Sequence, residues 1–329
     1  MQWYNVAVLT WNLSPRRADI PARAAVFLLT VLALSAVAGC RQDTAARLLE
    51  RADRLFEAQQ FNAAYAAYKQ VLEKSPKSVH ALLRLADCSL WLGDSETGLA
   101  WVDKVLRLAP HSAPAWEKKG ELLLAWRKPR EAIKALDKAL ALDGQMNLAR
   151  LNLSIAYQTL GDNKKAVSIA EQAVDLDPKD PEPHFRLAAA LQAARRTAEA
   201  EAEYRRTLAL KPDHRDALMS LSRLLVVQRS RLAEARQLAQ KRDNLDPGNG
   251  EAAVLAAWAL YLSGDHKPAL QELEQVARAH PSNFEAWLLL SKGLNDMGLK
   301  DAGRKAAAMA LQVSPRPPLF QGVPRQPQK

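Results

Sequence analysis

ARLNLSIAYQTLGDNKKAVSIAEQAVDLDP, residues 149–178, is the stretch that decides the fold. Ala and Leu are frequent in it, and both are strong helix formers because they lose little side-chain entropy in a helix. Gly161 interrupts the apolar pattern at a point where a helix must end and the chain reverse, and Pro178 closes the stretch. Two helices joined by a short turn are therefore predicted here.

The closing proline recurs along the chain. A proline, or in one case a glycine, follows an apolar-rich segment at intervals of 34 residues, with a single interval of 35 that predicts one inserted residue near Arg229: Pro76, Pro110, Gly144, Pro178, Pro212, Pro247, Pro281 and Pro315. A fixed period of this length is the mark of a repeat array.

Two further positions of the repeat are always small. When the closing residues are numbered 32, position 8 is Ala52, Ala86, Gly120, Ser154, Ala188, Ser222, Ala257 and Ser291. Position 20 is Ala64, Gly98, Ala132, Ala166, Ala200, Ala235, Ala269 and Gly303. Small residues allow two helices to approach closely, so these positions predict the contact within each helical pair.

Asn152-Leu153-Ser154, Tyr157, Gly161-Asp162 and Ala166, with Pro178, resemble the tetratricopeptide repeat. The resemblance implies an all-α α-solenoid of eight tandem helix-turn-helix repeats stacked in a right-handed superhelix. The predicted repeats are 45–78, 79–112, 113–146, 147–180, 181–214, 215–249, 250–283 and 284–315. Residues 316–329 are rich in Pro and are predicted to form a disordered tail.

The N-terminal segment has the pattern of an export signal. Residues 24–39, AAVFLLTVLALSAVAG, carry no charge and follow Arg16, Arg17 and Arg23. A run of this length is shorter than the roughly 20 residues of a membrane-spanning helix, and a basic flank before a short apolar core is typical of a secretory signal. The run ends in Val37-Ala38-Gly39-Cys40, which resembles the lipobox of bacterial lipoproteins.

This resemblance implies that residues 1–39 are a signal peptide and that Cys40 carries the lipid, with residues 40–44 as a short linker. Arg41, rather than Asp, follows the cysteine, which in such lipoproteins favours the outer membrane, facing the periplasm. An ordinary signal peptide, or an uncleaved short anchor with a chance cysteine, are the alternatives.

Charge and motifs bear on the class of function. The net charge is +10, but Lys and Arg alternate with Asp and Glu on successive helices instead of forming one basic stripe, so no nucleic-acid partner is expected. The six histidines have no metal-ligand spacing, and no HExxH, P-loop, GxGxxG or GxSxG motif occurs, so neither an enzyme, a cofactor nor a metal is predicted. Cys88 is interpreted as a buried, inert thiol, with an intermolecular disulfide as the alternative.

The resemblance also implies where a partner would bind. In this family, positions 2, 5, 6, 9, 12 and 13 of the first helices line an inner groove. The predicted protein-binding groove is Met219, Arg223, Val254, Leu255, Trp258, Tyr261, Leu262, Leu289 and Lys292, and a secondary acidic groove is Glu50, Asp53, Asp87, Glu117 and Glu121. Close packing of neighbouring repeats would instead bury some of these positions.

The predicted function is a membrane-anchored scaffold or adaptor that binds a helix or extended segment of other proteins in this groove, in the service of a cell-envelope machine. The alternative is a structural envelope protein that associates with itself through an uncapped C-terminal end and has no dedicated peptide ligand.

Overall fold

The computed structural model describes residues 44–248 and 250–314. Cys40, the predicted signal peptide and the predicted tail lie outside these residues. The described chain contains sixteen α-helices and no strand: α1 (Ala45–Glu57), α2 (Phe61–Lys74), α3 (Val79–Trp91), α4 (Ser95–Leu108), α5 (Ala113–Ala125), α6 (Pro129–Leu142), α7 (Asn147–Thr159), α8 (Asn163–Leu176), α9 (Pro181–Ala193), α10 (Thr197–Leu210), α11 (Arg215–Val227), α12 (Leu232–Leu245), α13 (Glu251–Leu262), α14 (His266–Ala279), α15 (Phe284–Asp296) and α16 (Lys300–Val313). The predicted all-α repeat fold is confirmed.

The chain divides after Asp94 into two compact units. Unit 1 contains α1 to α3, and unit 2 contains α4 to α16. None of the helices in the described residues has both the length and the apolar character that crossing a membrane requires.

One residue reverses the chain between the two helices of each repeat. It adopts a positive φ at position 15 in all eight described turns: Gln59, Gly93, Arg127, Gly161, Arg195, Arg229, Gly264 and Gly298. Glycine adopts this left-handed conformation without a Cβ clash, as the sequence predicts for four of the turns. The inserted residue of the sixth repeat lengthens its turn to residues 228–231, where Arg231 is also left-handed.

The small residues at positions 8 and 20 are buried throughout the described repeats. At Gly120 there is no room for a side chain, because a Cβ would lie 2.5 Å from the Leu136 side chain. Where position 8 is serine, its hydroxyl donates to the carbonyl at position 20, over 2.7 Å from Ser154 to Ala166 and 2.6 Å from Ser222 to Ala235. The hydroxyl thus satisfies its own hydrogen bond while holding the two helices together.

Unit 2 is built by packing each helix against the next along the chain. First helices of neighbouring repeats also contact each other directly: α5 with α7, α7 with α9, α11 with α13, and α13 with α15. Second helices are joined across repeats by long side chains, such as Arg205 of α10 with Glu234 of α12. The first helices of unit 2 are therefore the inner layer of the stack.

Candidate protein-binding surface

The exposed part of the predicted groove lies on the first helices of unit 2. Met219 and Leu262 are half-buried against the core, and Arg223 and Lys292 are exposed. Val227, which ends α11, is 51% exposed. Together these side chains offer apolar contact between two cations.

The aromatic part of the predicted groove is buried. Trp258 is 8% exposed and Tyr261 is 7% exposed, and their rings stack at 4.8 Å between centroids. Val254, Leu255 and Leu289 are likewise part of the core of unit 2. Close packing of α13 against its neighbours therefore takes up these positions, and any contact of Trp258 or Tyr261 with a partner stays a prediction.

Tyr261 connects the buried part of the groove to the exposed part. Its hydroxyl donates to Asp296 Oδ2 at 3.1 Å, and Lys292 Nζ donates to the same oxygen at 3.0 Å. Burial and the neighbouring Asp296 carboxylate raise the pKa of Tyr261 to about 12, so the phenol stays a neutral donor. The network holds the Lys292 ammonium at the edge of the surface.

A second charged group joins three successive first helices. Arg223 of α11 forms an ion pair with Glu251 of α13. Burial raises the pKa of Glu285 at the start of α15, an effect that Arg223 opposes and Glu251 reinforces. Arg223 is thus paired with Glu251 and acts electrostatically on Glu285.

The acidic residues predicted in unit 1 are engaged within the chain. Asp53 Oδ1 accepts from the Tyr68 hydroxyl at 2.6 Å and lies 3.0 Å from His80 Nε2. Burial alone would raise the pKa of Asp53, but the hydrogen bonds with Tyr68 and His80 hold it below its ordinary value. Asp87 lies 3.4 Å from Arg84, and Glu50 lies 3.8 Å from Arg54.

The two acidic residues predicted in unit 2 are engaged as well. Glu117 is buried and accepts from Asn152 Nδ2 at 2.8 Å, which joins α5 to α7. Glu121 forms an ion pair with Lys118 on the same helix. Each of the five acidic side chains therefore has a partner within the chain, and their binding of a partner protein stays a prediction.

Cys88 is fully buried on α3, and burial raises the pKa of its thiol to about 12. The burial predicted for Cys88 is confirmed, and its inertness stays a prediction; a thiol with a raised pKa is less ionised near neutral pH than a free one. Within the described residues, His, Cys, Asp and Glu side chains form no group that could hold a metal ion.

Two features of the structure were not predicted from the sequence: a hydrogen bond between repeats and an exposed leucine. A donor at position 4 reaches the carbonyl that closes the preceding repeat, as Trp116 Nε1 does to Pro110 at 2.9 Å and Trp287 Nε1 does to Pro281 at 3.0 Å. The other is Leu148 of α7, which is 54% exposed on the inner layer. Its place at position 2 of a repeat was the signal that could have identified it.

Paired helices of constant period, with an inner layer that leaves apolar and charged side chains exposed, define a helical-repeat protein. The chain belongs to the tetratricopeptide repeat family, whose models match residues 55–122, 157–224 and 226–293, and also 118–181. Proteins built from these repeats typically mediate protein–protein interactions and scaffolding.

Individual relatives match only in part. Superkiller complex protein 3 of Mus musculus is 29% identical over 162 residues, which is 49% of this chain and 10% of the relative. Among solved structures, the APC/C hetero-tetramer Cut9-Hcn1 superposes with a TM-score of 0.61 at 17% identity, covering 82% of this chain and 53% of the other. The chain therefore spans a tenth of the mouse relative and about half of the Cut9-Hcn1 chain.

Two smaller proteins are covered almost completely. PilW, a type IV pilus biogenesis factor, superposes with a TM-score of 0.55 at 19% identity, over 63% of this chain and 96% of PilW. A thermophilic repeat protein of the same family from Thermus thermophilus superposes with a TM-score of 0.51 at 22% identity, over 56% of this chain and 100% of the other. At these identities the likeness shows the fold alone.

Proposed function

We propose that this chain is a non-enzymatic scaffold that binds a helix or extended segment of a partner protein on the first helices of unit 2. The observation that carries the proposal is the exposure of Val227 and the partial exposure of Met219 and Leu262, on an inner layer whose other large apolar side chains, apart from Leu148, are mostly buried. Apolar side chains on a rigid concave layer make a favourable binding site, because docking requires little ordering of the scaffold.

The charged side chains at this surface would determine the orientation of a bound partner segment. Arg223 and Lys292 are exposed, and each is held by a carboxylate of its own chain. A partner segment with carboxylates flanking its apolar side chains would exchange these internal ion pairs for intermolecular ones. Charged groups of this kind determine register and association rate more than affinity.

The test places a photo-crosslinking amino acid at Val227 or Leu262 in the full chain and identifies what is joined in cells. A matched control places it at Lys164, which is exposed on the second helix α8. The expected result is one partner from both first-helix sites and none from Lys164. Equal crosslinking from all three sites would overturn the proposal.

Disruptive variants test the same surface. Val227→Asp places charge on apolar contact area that is already open, and Leu262→Asp places it on a half-buried side chain, so circular dichroism first checks that both variants fold. Affinity for the crosslinked partner should then fall about tenfold or more. Trp258→Ala is a poor test, because truncating a buried Trp costs about 3–5 kcal/mol of stability. Unchanged affinity in both aspartate variants would exclude this surface.

The membrane anchor is a separate part of the proposal. We infer from Val37-Ala38-Gly39-Cys40 that Cys40 is lipidated and that the repeats serve an envelope machine from the periplasmic face of the outer membrane. PilW, a type IV pilus biogenesis factor with the same fold, offers a parallel. Labelling cells with a palmitate analogue should mark the wild-type chain and leave Cys40→Ala unmarked. Label retained in Cys40→Ala would refute lipidation at this residue.

A further inference from the structure

An open apolar cleft of about 500 Å³ lies between the seventh and eighth repeats, in unit 2. The second helices α14 and α16 are its walls, and the first helix α15 is its floor. Trp287, Leu290 and Leu294 lie on the floor, and Leu270 and Met309 lie on the two walls. The cleft is lined by aliphatic, Met and Trp side chains, a composition found at binding surfaces.

The cleft lacks the charged bridge that spans the two preceding grooves between second helices. Arg205 of α10 donates twice to Glu234 of α12, at 2.7 and 2.9 Å, across one such groove. Arg236 of α12 donates twice to Glu272 of α14, at 2.9 and 2.7 Å, across the next. These two glutamates occupy positions 19 and 23 of their repeats.

In the last repeat, positions 19 and 23 are alanine. Ala302 and Ala306 line the cleft in place of the glutamates. Among the described residues, no ion pair joins α14 to α16. The apolar floor, which an arginine–glutamate bridge spans in the two preceding grooves, is therefore partly open: Trp287 and Leu294 are half-buried, whereas Leu290 is buried.

The rim of the cleft carries positive charge. Lys267 and Lys305 lie on opposite walls and form no ion pair within the described residues, and both are exposed. The acidic rim residue, Glu274, is neutralised by Arg278 at 2.6 Å. The charge left for a ligand is that of two ammonium groups above an apolar floor.

We propose that this cleft is a second protein-binding site and that its occupant is an amphipathic helix of a partner, with leucine-sized side chains on one face and carboxylates flanking them. The leucines would fill the space above Leu290 and Leu294, and the carboxylates would pair with Lys267 and Lys305. Residues 315–329 of this chain are a weaker fit, because they contain three cationic and no acidic side chains.

The cleft is separate from the surface of the proposed function. Trp287, Leu290 and Leu294 follow one another at helical spacing on the face of α15 turned toward the second helices, whereas Leu288 and Lys292 lie on another face. Either site can therefore fail its test while the other one holds.

The test measures fluorescence anisotropy of a labelled helical peptide with leucines every third or fourth residue and glutamates on both flanks, titrated with the full chain. Its matched control peptide carries lysine in place of each glutamate. The expected result is saturable binding of the acidic peptide only. Lys267→Glu with Lys305→Glu should weaken that binding about tenfold or more, since like charges then face each other.

Two further variants keep the result interpretable. Ala302→Glu restores the residue type that position 19 carries in the sixth repeat, at an exposed place, and should also weaken binding. Lys164→Glu with Lys211→Glu makes the same charge change at exposed positions remote in sequence from the cleft, and it should leave affinity unchanged.

Three results would overturn the proposal. Binding that appears only after residues 315–329 are removed would identify that segment as the occupant. Concentration-dependent dimers in sedimentation, abolished by Met309→Glu, would identify a second copy as the occupant. Failure of the acidic peptide to bind either length of chain, or equal loss of affinity in both lysine pairs, would show that the cleft is not this site.

Discussion

The reversal between the two helices of a repeat depends on the conformation of a single residue. Glycine at Gly93, Gly161, Gly264 and Gly298 could be predicted to take a positive φ, because the sequence shows glycine where a helix must end. Gln59, Arg127, Arg195 and Arg229 take the same conformation without any such signal. Packing of the helices on either side therefore determines this φ, whichever residue type occupies position 15.

This strain gives a stability prediction. A residue with a Cβ in the left-handed region costs about 1–2 kcal/mol. Replacing it with glycine recovers only part of this cost, because glycine also gives the unfolded chain more freedom. Arg195→Gly, at an exposed position, should raise the free energy of unfolding by about 0.5–1 kcal/mol in urea denaturation. The converse control, Gly161→Ala, should lower it by a similar amount. A loss of stability in Arg195→Gly would contradict this explanation.

Asp53 gives a prediction on pH. Because its pKa is lower in the folded chain, its stabilising contribution is complete above the unfolded value of about 3.9 and is lost as pH falls through the folded value. Asp53→Asn should therefore lower the melting temperature of the chain at pH 7, where it costs about 1 kcal/mol, and the deficit should be smaller at pH 3. Glu50→Gln, at an exposed pair of 3.8 Å, serves as the control with little effect at either pH. An Asp53→Asn deficit of equal size at both pH values would count against the Tyr68–Asp53–His80 network.

At the scale of the helical pair, the sequence predicts the close contacts but not the links between pairs. Positions 8 and 20 hold small residues in every repeat. This pattern predicts close helix contact, because a larger side chain would push the two helices apart. The Arg205–Glu234 and Arg236–Glu272 bridges join residues 29 and 36 positions apart. Their pairing depends on how one second helix is placed beside the next, which a periodic pattern does not specify.

The bridges across second helices should contribute measurably to stability. A double-mutant cycle on Arg236→Ala and Glu272→Ala is expected to show a coupling energy of about 1 kcal/mol, since the contact is bidentate and partly buried. The same cycle on Asp301 and Arg304, which are both exposed on α16, should give a coupling near zero. Equal couplings for the two pairs would mean that the bridge adds nothing to the joining of repeats.

At the scale of the whole molecule, the 34-residue period was sufficient to predict the fold, because a helical pair that cannot bury its apolar face alone has to stack on its neighbours. The exposure of individual groove residues was not predictable in the same way. Trp258 and Val227 both occupy groove positions of first helices, yet one is 8% exposed and the other 51%. Trp258 stacks on Tyr261 inside α13, whereas Val227 is the last residue of α11, and the groove pattern alone does not distinguish the two.

The cleft beside α16 illustrates the same limit. Alanine at Ala302 and Ala306 indicates helix propensity alone when only the sequence is considered. The structure shows that Arg205 and Arg236 bind glutamates across the two neighbouring grooves. Ala302 and Ala306 leave the last groove without such a bridge.

The most direct test of the binding function is hydrogen exchange of the full chain, with and without the partner identified by crosslinking from Val227. Our account predicts that binding slows exchange in the first helices α11, α13 and α15, because a segment docked on the inner layer suppresses their local opening. The second helices α12 and α14 should change less. Slowed exchange confined to the second helices, or none in unit 2, would contradict the assignment of the inner layer as the binding surface.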